Sequence, residues 1–507
     1  MWWNPMTWLR QKTTPKPFPR LGVRGYAGAS TGRLLNDFAS PASSADKEIR
    51  PALKTLRNRC REMCRNEPIA TRALQVFRTQ VVGDKGLHLQ VRARNLPQPG
   101  ETKGTLDIAG NDMVERAWKR WTRRGVCEVS GRHSWIDCQQ LVQESLVRDG
   151  EVLVKYVREM PSKANPFGFA LQFLEPDHLD EQLNSQSGDV RIVMGVELDS
   201  ANRPVGYHLF DGPGHPGDDL NYGGPNGKRV RRPASEILHI YRPDRVQQTR
   251  GVPLFASVMD KLHQQNAHLE AELVASRLAA SKSLWLESED GQGYAGDDFD
   301  GFAPILDAGE PGSITQLPPG VKVTAPPMDH PSTAFSDFQK SVLRQIAGGL
   351  GLDYVTLSNN LESVSYSSIR AGTIESRDNY RVHQTFLAEH FAQPVFREWL
   401  QMGITSGALP FPSDRFDKFA DSAVFRGRGY QWVDPLKEVR AAAEGLESGF
   451  LTFSDVAQQV GGRDVEETFS TLQSDIEMAE RFNLTMNVLP LGKKKAATPE
   501  IETDDGN

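Results

Sequence analysis

The chain is 507 residues long, 38% hydrophobic and 24% charged, with a formal net charge of −6. This composition suits a soluble folded protein with room for roughly three domains. It excludes a surface that grips nucleic acid over its whole extent, which would be basic; it also excludes a membrane-spanning helix, since no run approaches roughly 18 apolar residues.

Residues 1–36 carry six basic side chains (Arg10, Lys12, Lys16, Arg20, Arg24, Arg33) and no acid, among frequent Pro, Gly, Ser and Thr. They read as a disordered basic arm, open either to contact with nucleic acid or an acidic partner, or to being a solvated tail. Trp2, Trp3 and Trp8 stand there without the apolar stretch of a secretory signal. Ala45–Gln80 reads as helix, with Pro51 in the first turn, Leu53, Leu56, Cys60, Met63 and Cys64 at helical spacing, and a restart at Pro68. A strand over Leu87–Arg92 follows, then a helix over Asn111–Arg123 with Met113, Val114, Ala117, Trp118 and Trp121 on one face.

A β-rich block comes next. Glu151–Val157 is a strand after the turn Asp149-Gly150, and Phe169–Leu174 alternates up to Glu175-Pro176-Asp177. Ile192–Leu198 and Pro204–Phe210 form a hairpin around Asp199–Asn202, residues 211–228 are a Gly/Pro/Asn-rich loop, and Ile237–Tyr241 is a further strand. Together these make an α+β domain.

Pro253–Ser283 reads as one long helix of about 45 Å, with Pro253 in its first turn. Ala267, Ala271, Ala275 and Ala279 repeat every four positions, which suits either close packing against copies of the chain or ordinary packing within it. Residues 284–332 form an irregular insertion with short strands such as Val321–Thr324, and 334–347 return to helix. Tyr366–Leu400 is helical, with Leu387, Phe391, Val395 and Trp399 at steps of four and a kink at Pro394. Residues 434–484 are helical again, with capping boxes at Thr452–Asp455 and Asp464–Glu467, and a charged tail closes the chain.

Between the helices that end near Gly351 and begin near Tyr366 lies a loop, Leu352–Tyr366. It holds Asp353, Asn359, Asn360 and Glu362 but no Lys, Arg, His or Cys. A loop of this kind presents polar, uncharged-to-acidic atoms to something that must pass without sticking.

The usual constellations for catalysis are missing. There is no Walker A sequence, no Gly-x-Ser-x-Gly elbow and no His-Glu-x-x-His. Gly348-Gly349-Leu350-Gly351 follows a helix instead of a strand, which weakens a dinucleotide reading. His383 and His390 stand seven apart without a third ligand, and Cys60, Cys64, Cys127 and Cys138 lack metal spacing and read as free thiols. Arg426-Gly-Arg428-Gly-Tyr430 reads either as a phosphate contact or as a turn with exposed arginines. Asp297, Asp298 and Asp300 could hold Mg²⁺ or simply form a solvated loop. The pattern favours a structural or interaction role, not an enzyme, with no cofactor.

The order of segments carries a family resemblance. Arg148-Asp-Gly-Glu151, Leu174-Glu-Pro-Asp177, Gly195-Val-Glu-Leu-Asp199, Arg250-Gly-Val-Pro-Leu254, Leu317-Pro-Pro-Gly320, Phe335–Gly351, Tyr354 and Ser365–Arg370 occur in sequence. This set resembles the portal proteins of tailed bacteriophages, in the lambda-like branch, over roughly residues 30–485. The resemblance implies an α+β portal-type fold assembled as a ring, usually of twelve copies (a dodecamer), around a DNA translocation channel. It implies a wing at 37–252, stem helices at 253–283 and 333–350, and a clip at 284–332. It further implies a tunnel loop at 351–365, a long helix and return to the wing at 366–433, a helical crown at 434–485, and a disordered tail at 486–507. The tunnel loop would turn Asp353, Tyr354, Ser358, Asn359, Asn360, Glu362 and Ser363 toward double-stranded DNA.

The implied setting is the unique capsid vertex of the virion, after assembly in the host bacterial cytoplasm, with no membrane. The implied partners are the terminase large subunit, the major capsid and scaffold proteins, and a head–tail connector. The competing readings are another head–tail structural protein, such as an adaptor or tail-hub component, and a metal-dependent enzyme.

Overall fold

A computed structural model describes residues 42–97, 104–210, 229–280, 285–288, 321–324, 335–362, 365–431, 434–461, 465–482 and 484. The predicted N-terminal arm, the 211–228 loop, the Asp297–Asp300 cluster and the C-terminal tail lie outside these residues.

The first helices pack as a hairpin. Helix α1 (Ala45–Asn66) starts where the Ser44 side chain accepts from the Lys47 amide, and it stops one residue before Pro68. Pro51 therefore sits in the second turn, not the first as its spacing suggested, because the cap lies at Ser44. Helix α2 (Pro68–Phe77) uses Pro68 in its first turn and runs into a π turn over Arg78–Val82. Strand β1 (His88–Val91) and helix α3 (Ile108–Trp121) match the sequence expectation closely, except that Met113 faces solvent.

Helix α4 (Trp135–Arg148) was not read from the sequence. Ser134 and Asp137 form a reciprocal capping box at its start. Its inner face holds Trp135, Cys138, Val142, Leu146 and Val147, interrupted by buried Gln139 and Gln143.

Strand β2 (Glu151–Arg158) is the centre of a three-stranded antiparallel sheet, flanked by β3 (Phe169–Leu174) and β9 (Ile237–Tyr241). Its side chains alternate between two cores. Val152, Val154 and Tyr156 join the main core, whereas Leu153 joins a smaller one with Leu179, Val196, Leu198, Tyr207, Leu209 and Ile237. The smaller core lies under a five-stranded meander of β4 (Ser185–Ser187), β5 (Val190–Val193), β6 (Val196–Leu198), β7 (Pro204–Phe210) and β8 (Arg229–Pro233). The expected Ile192–Leu198 strand is thus broken in two. Met194 and Gly195, with φ of 47° and 84°, make a two-residue turn between β5 and β6.

Helix α5 spans Met259–Ala280, preceded by a 3₁₀ turn at Leu254–Ser257. It starts later than Pro253 and is about 33 Å long over its described length. Ala267 and Ala271 are exposed, so this part of the small-residue stripe does not pack against the other described residues. Strands β10 (Trp285–Ser288) and β11 (Val321–Thr324) pair antiparallel. Helix α6 (Phe335–Leu350) then leads through a short helix α7 (Tyr354–Ser358) to α8 (Tyr366–Leu387).

A π turn over Ala388–Ala392 joins α8 to α9 (Gln393–Thr405). The turn absorbs the kink expected at Pro394, whose missing N–H falls in the first turn of α9. Leu387, Phe391, Val395 and Trp399 are all fully buried, as their spacing predicted. They meet Trp118, Trp121, Trp135 and Phe169 in an aromatic core: ring centroids lie 5.0 Å apart for Trp118–Trp399 and 4.8 Å for Trp135–Phe391. A short helix α10 (Phe416–Ala420) precedes strand β12 (Ala423–Arg426), which pairs antiparallel with β1 and closes the domain across more than three hundred residues of chain. Helices α11 (Pro435–Glu447), α12 (Phe453–Gly461) and α13 (Val465–Arg481) complete the described chain.

Candidate functional site

The segment between α6 and α8 is more ordered than a plain loop. Helix α6 ends in a Schellman cap, in which the Leu352 amide donates to Ala347 and the Gly351 amide to Gly348. Gly351 has φ of 67°, which that cap requires. The glycine run is therefore a helix stop and a packing surface. A Cβ on Gly349 would stand 2.4 Å from Val258 Cγ1.

Asp353 then caps α7. Its carboxylate accepts from the amides of Val355 (2.9 Å) and Thr356 (3.0 Å) and from the Thr356 hydroxyl. Leu352 and Leu357 anchor the turn in the core. Three further bonds tie it to its neighbours: the Asp353 amide to Ser376 Oγ, Asn379 Nδ2 to the Gly351 carbonyl, and Arg72 Nε to the Thr356 carbonyl.

The predicted DNA-facing residues consequently separate into two groups. Asp353 and Tyr354 turn inward: Asp353 is spent on the cap, and Tyr354 lies under the Arg344 guanidinium at 5.3 Å. The tip is the second group. Asn359, in the left-handed region at φ 54°, and Glu362 are exposed, with Leu361 exposed between them and Asn360 half-buried. Ser358 is half-buried behind the tip, its hydroxyl donating to the Tyr354 carbonyl. Ser363 lies outside the described residues. No cation stands in the tip itself, although Arg72 and Arg344 reach the α7 turn from other elements.

A second feature explains several of the family-like motifs. Glu151, Arg57 and Arg250 are sealed from solvent. Arg250 Nε lies 3.0 and 2.9 Å from the two oxygens of Glu151, which also accepts from the Gly251 amide at 3.0 Å and meets His239 Nε2 at 2.9 Å. Arg57 reaches Glu151, Asp177 and Glu181. Arg61 bridges Asp149 and Asp177 at 2.6 Å each, and Arg148 pairs with Asp149 at 2.7 Å.

Burial alone would raise the Glu151 carboxyl, but Arg250 and His239 outweigh it and hold it well below the usual carboxylate range. Burial lowers Arg57 despite Asp177 and Glu151. The backbones at Gly150 and Gly251 approach so closely that a Cβ on Gly251 would stand 2.2 Å from the Gly150 carbonyl oxygen. Arg148-Asp-Gly-Glu151, Glu175-Pro-Asp177 and Arg250-Gly251 thus converge on one buried ionic joint between α1, β2 and the start of the α5 segment. A carboxylate whose two oxygens are already taken up by Arg250, Arg57, His239 and the Gly251 amide offers none to a substrate, so this joint is structural.

His383 is buried, with burial and then Arg242 holding it down to about 3. Arg242 Nη1 donates to its Nε2 at 2.9 Å and the Gln143 amide faces Nδ1 at 3.4 Å, so it is a core histidine. His390 stacks on Phe386. The four cysteines are buried free thiols. Among the described residues no group of His, Cys, Asp and Glu side chains could hold a metal, and no helix is long and apolar enough to cross a membrane.

Comparison with known proteins places these features. A model of the "Phage portal protein, lambda family" matches residues 31–384. The "Probable portal protein" of Halomonas phage phiHAP-1 is 33% identical over 497 residues, covering 95% of this chain and 92% of that protein. "Portal protein B" of Escherichia phage lambda is 24% identical, covering 88% of each. Among solved structures, a chain of the "Virion of native gene transfer agent (GTA) particle" aligns with a TM-score of 0.42 at 12% identity, covering 84% of this chain and 96% of that one. By the family match over most of its length and a relative a third identical along nearly all of it, the chain belongs to the lambda family of phage portal proteins.

Proposed function

We propose that the chain forms a closed ring of twelve copies at the unique capsid vertex, a conduit through which DNA enters during packaging and leaves during ejection. The observation that carries the reading is family membership along nearly the whole chain. The tip at Asn359–Glu362 supports it physically: polar, acidic and apolar atoms, with no cation of its own, stand on a rigidly capped turn. Each Lys or Arg gripping a phosphate is a contact that must break as DNA moves. A tip without them guides the duplex sterically and releases it. Twelve copies would also carry a formal charge of about −70, which disfavours tight wrapping of DNA.

In this reading residues 37–252 are the wing, the α5 and α6 segments the stem, 284–332 the clip, 351–365 the tunnel loop and 434–485 the crown. The chain itself is not an enzyme. It is a docking platform for the terminase large subunit, which supplies the motor, and later for head–tail connector proteins; capsid and scaffold proteins meet it during assembly in the host cytoplasm.

The test is DNA packaging into particles assembled with the full chain. Particles carrying N359K/N360K should assemble normally but package less DNA than wild type. Unchanged packaging by that variant would remove the tip from the reading.

A further inference from the structure

The Arg426-Gly-Arg428-Gly-Tyr430 run is not the exposed turn that its composition allowed. Arg426 and Arg428 are half-buried and Tyr430 is buried, its hydroxyl donating to the Gln80 carbonyl. Gln384 on α8 clamps the run from beneath, with Nε2 donating to the carbonyls of Val81 and Arg428. A Cβ on Gly427 would stand 2.5 Å from Gln384 Cδ, so a larger residue there would displace the Gln384 clamp. The result is a cleft of about 380 Å³ lined by Arg381, Gln384, Thr385, Arg426, Arg428 and Asp455, with Phe425, Gly427, Gly429 and Tyr430 completing the wall.

Three guanidinium groups surround the Tyr430 ring. Arg377, Arg428 and Arg381 lie 5.4, 5.5 and 5.8 Å from its centroid. Such cation–π contacts fix where the cations sit but leave their N–H groups free to donate. Three carboxylates stand nearby: Asp378 pairs with Arg381 at 2.7 Å, Asp455 lines the cleft and is tied to Thr452 at the start of α12, and Glu438 faces Arg377 while pairing with Arg370 and accepting from the Asp434 amide. Arg428 donates to the Thr79 carbonyl and to no other acceptor among the described residues. Arg377, half-buried, makes no hydrogen bond or ion pair among the described residues. Arg377, Arg381, Arg426 and Arg428 outnumber the carboxylates around them, and Glu438 is shared with Arg370, so the cleft keeps an excess of positive charge.

We propose that this cleft binds a phosphate of a duplex DNA backbone. Guanidinium groups arriving from α8 and from the 426–430 run converge from different directions. A tetrahedral phosphate can accept from such an array, whereas a carboxylate offers two coplanar oxygens. Arg381 and Thr385 are exposed, so the mouth of the cleft opens on the surface of α8. One phosphate per subunit is a salt-labile contact, compatible with passage. The identity of the carrier rests on the conduit reading; the anion site itself rests on the geometry.

The experiment uses the full chain, a fluorescent DNA duplex of about 20 base pairs in anisotropy titrations at several salt concentrations, inorganic phosphate as competitor and a polyglutamate peptide as carboxylate control. The comparison variant is R377Q/R381Q, both on α8, with melting recorded in parallel. Wild type should bind the duplex and be competed by phosphate. The variant should lose about tenfold in affinity and its salt slope should fall by about one unit, with melting unchanged. Duplex affinity and salt slope equal to wild type would overturn the proposal, as would tighter binding of polyglutamate than of duplex, or binding of inorganic phosphate without duplex. Such a failure in a chain that still forms rings and packages DNA would leave the conduit reading standing.

Discussion

Arg250 and Glu151 form a fully buried charge pair: Nε stands 2.9 and 3.0 Å from the two carboxylate oxygens, and neither side chain reaches solvent. The pair joins the central strand β2 to the segment that leads into α5, so it couples the sheet domain to the helix beyond it. Removing one partner strands the other charge in the interior. R250M should therefore cost about 3–5 kcal/mol in urea unfolding. R245A, which breaks an exposed pair with Glu48, should cost less than about 1 kcal/mol. Equal effects from the two variants would show that the buried joint is not a structural tie.

Acid should weaken the fold in two stages. His383 is held down to about 3, against an ordinary value of 6.5, so the unfolded chain takes up a proton there while the folded chain does not. Stability then falls as pH drops from 6.5 toward 3, with a slope of up to about 1.4 kcal/mol per pH unit. Glu151 is depressed, so its contribution is complete above its ordinary value of 4.5 and declines below it. H383Q keeps an acceptor for Arg242 and should flatten the melting-temperature profile between about pH 6.5 and 4.5. A profile identical to wild type in that window would contradict the assignment.

Asp353 distinguishes a capping role from a DNA-facing one. D353A removes the acceptor for two amides at the start of α7 and should cost about 1 kcal/mol. D353N retains a capping oxygen, so both stability and packaging should remain close to wild type. Packaging that fails in D353N with stability intact would mean the carboxylate charge itself faces DNA.

The two glycine sites should differ in severity. At Gly351 an added Cβ meets the Asn379 side chain and a positive φ, so G351A should cost about 1–2 kcal/mol. At Gly251 it would meet the Gly150 carbonyl, which no rotamer change relieves. G251A should yield little soluble protein, and a well-behaved G251A would argue against the close backbone approach.

Local patterns carried much of the architecture. The four-residue steps from Leu387 to Trp399 told which side of the α8–α9 segment is buried, and the Asp149-Gly150 turn told where β2 begins. Helix α4 escaped notice because Gln139 and Gln143 stand in its apolar stripe. Their burial makes sense only through distant partners, the Leu87 amide and the His383 ring. The ionic joint was equally hidden: Arg57, Asp149, Glu151, Asp177 and Arg250 are spread over nearly two hundred residues, and only the tertiary fold makes them neighbours. For the loop after α6, chemical character was legible from composition. The cap that turns Asp353 inward was not, since a carboxylate before a short helix reads equally well as a surface charge.

The central claim is a ring with a hole. Native mass spectrometry of the purified full chain, with electron-microscope imaging of the same sample, tests it most directly. The account predicts closed rings of about a dozen subunits around a central channel, built from a chain of 56.4 kDa. A compact dimer or tetramer without a channel would contradict it.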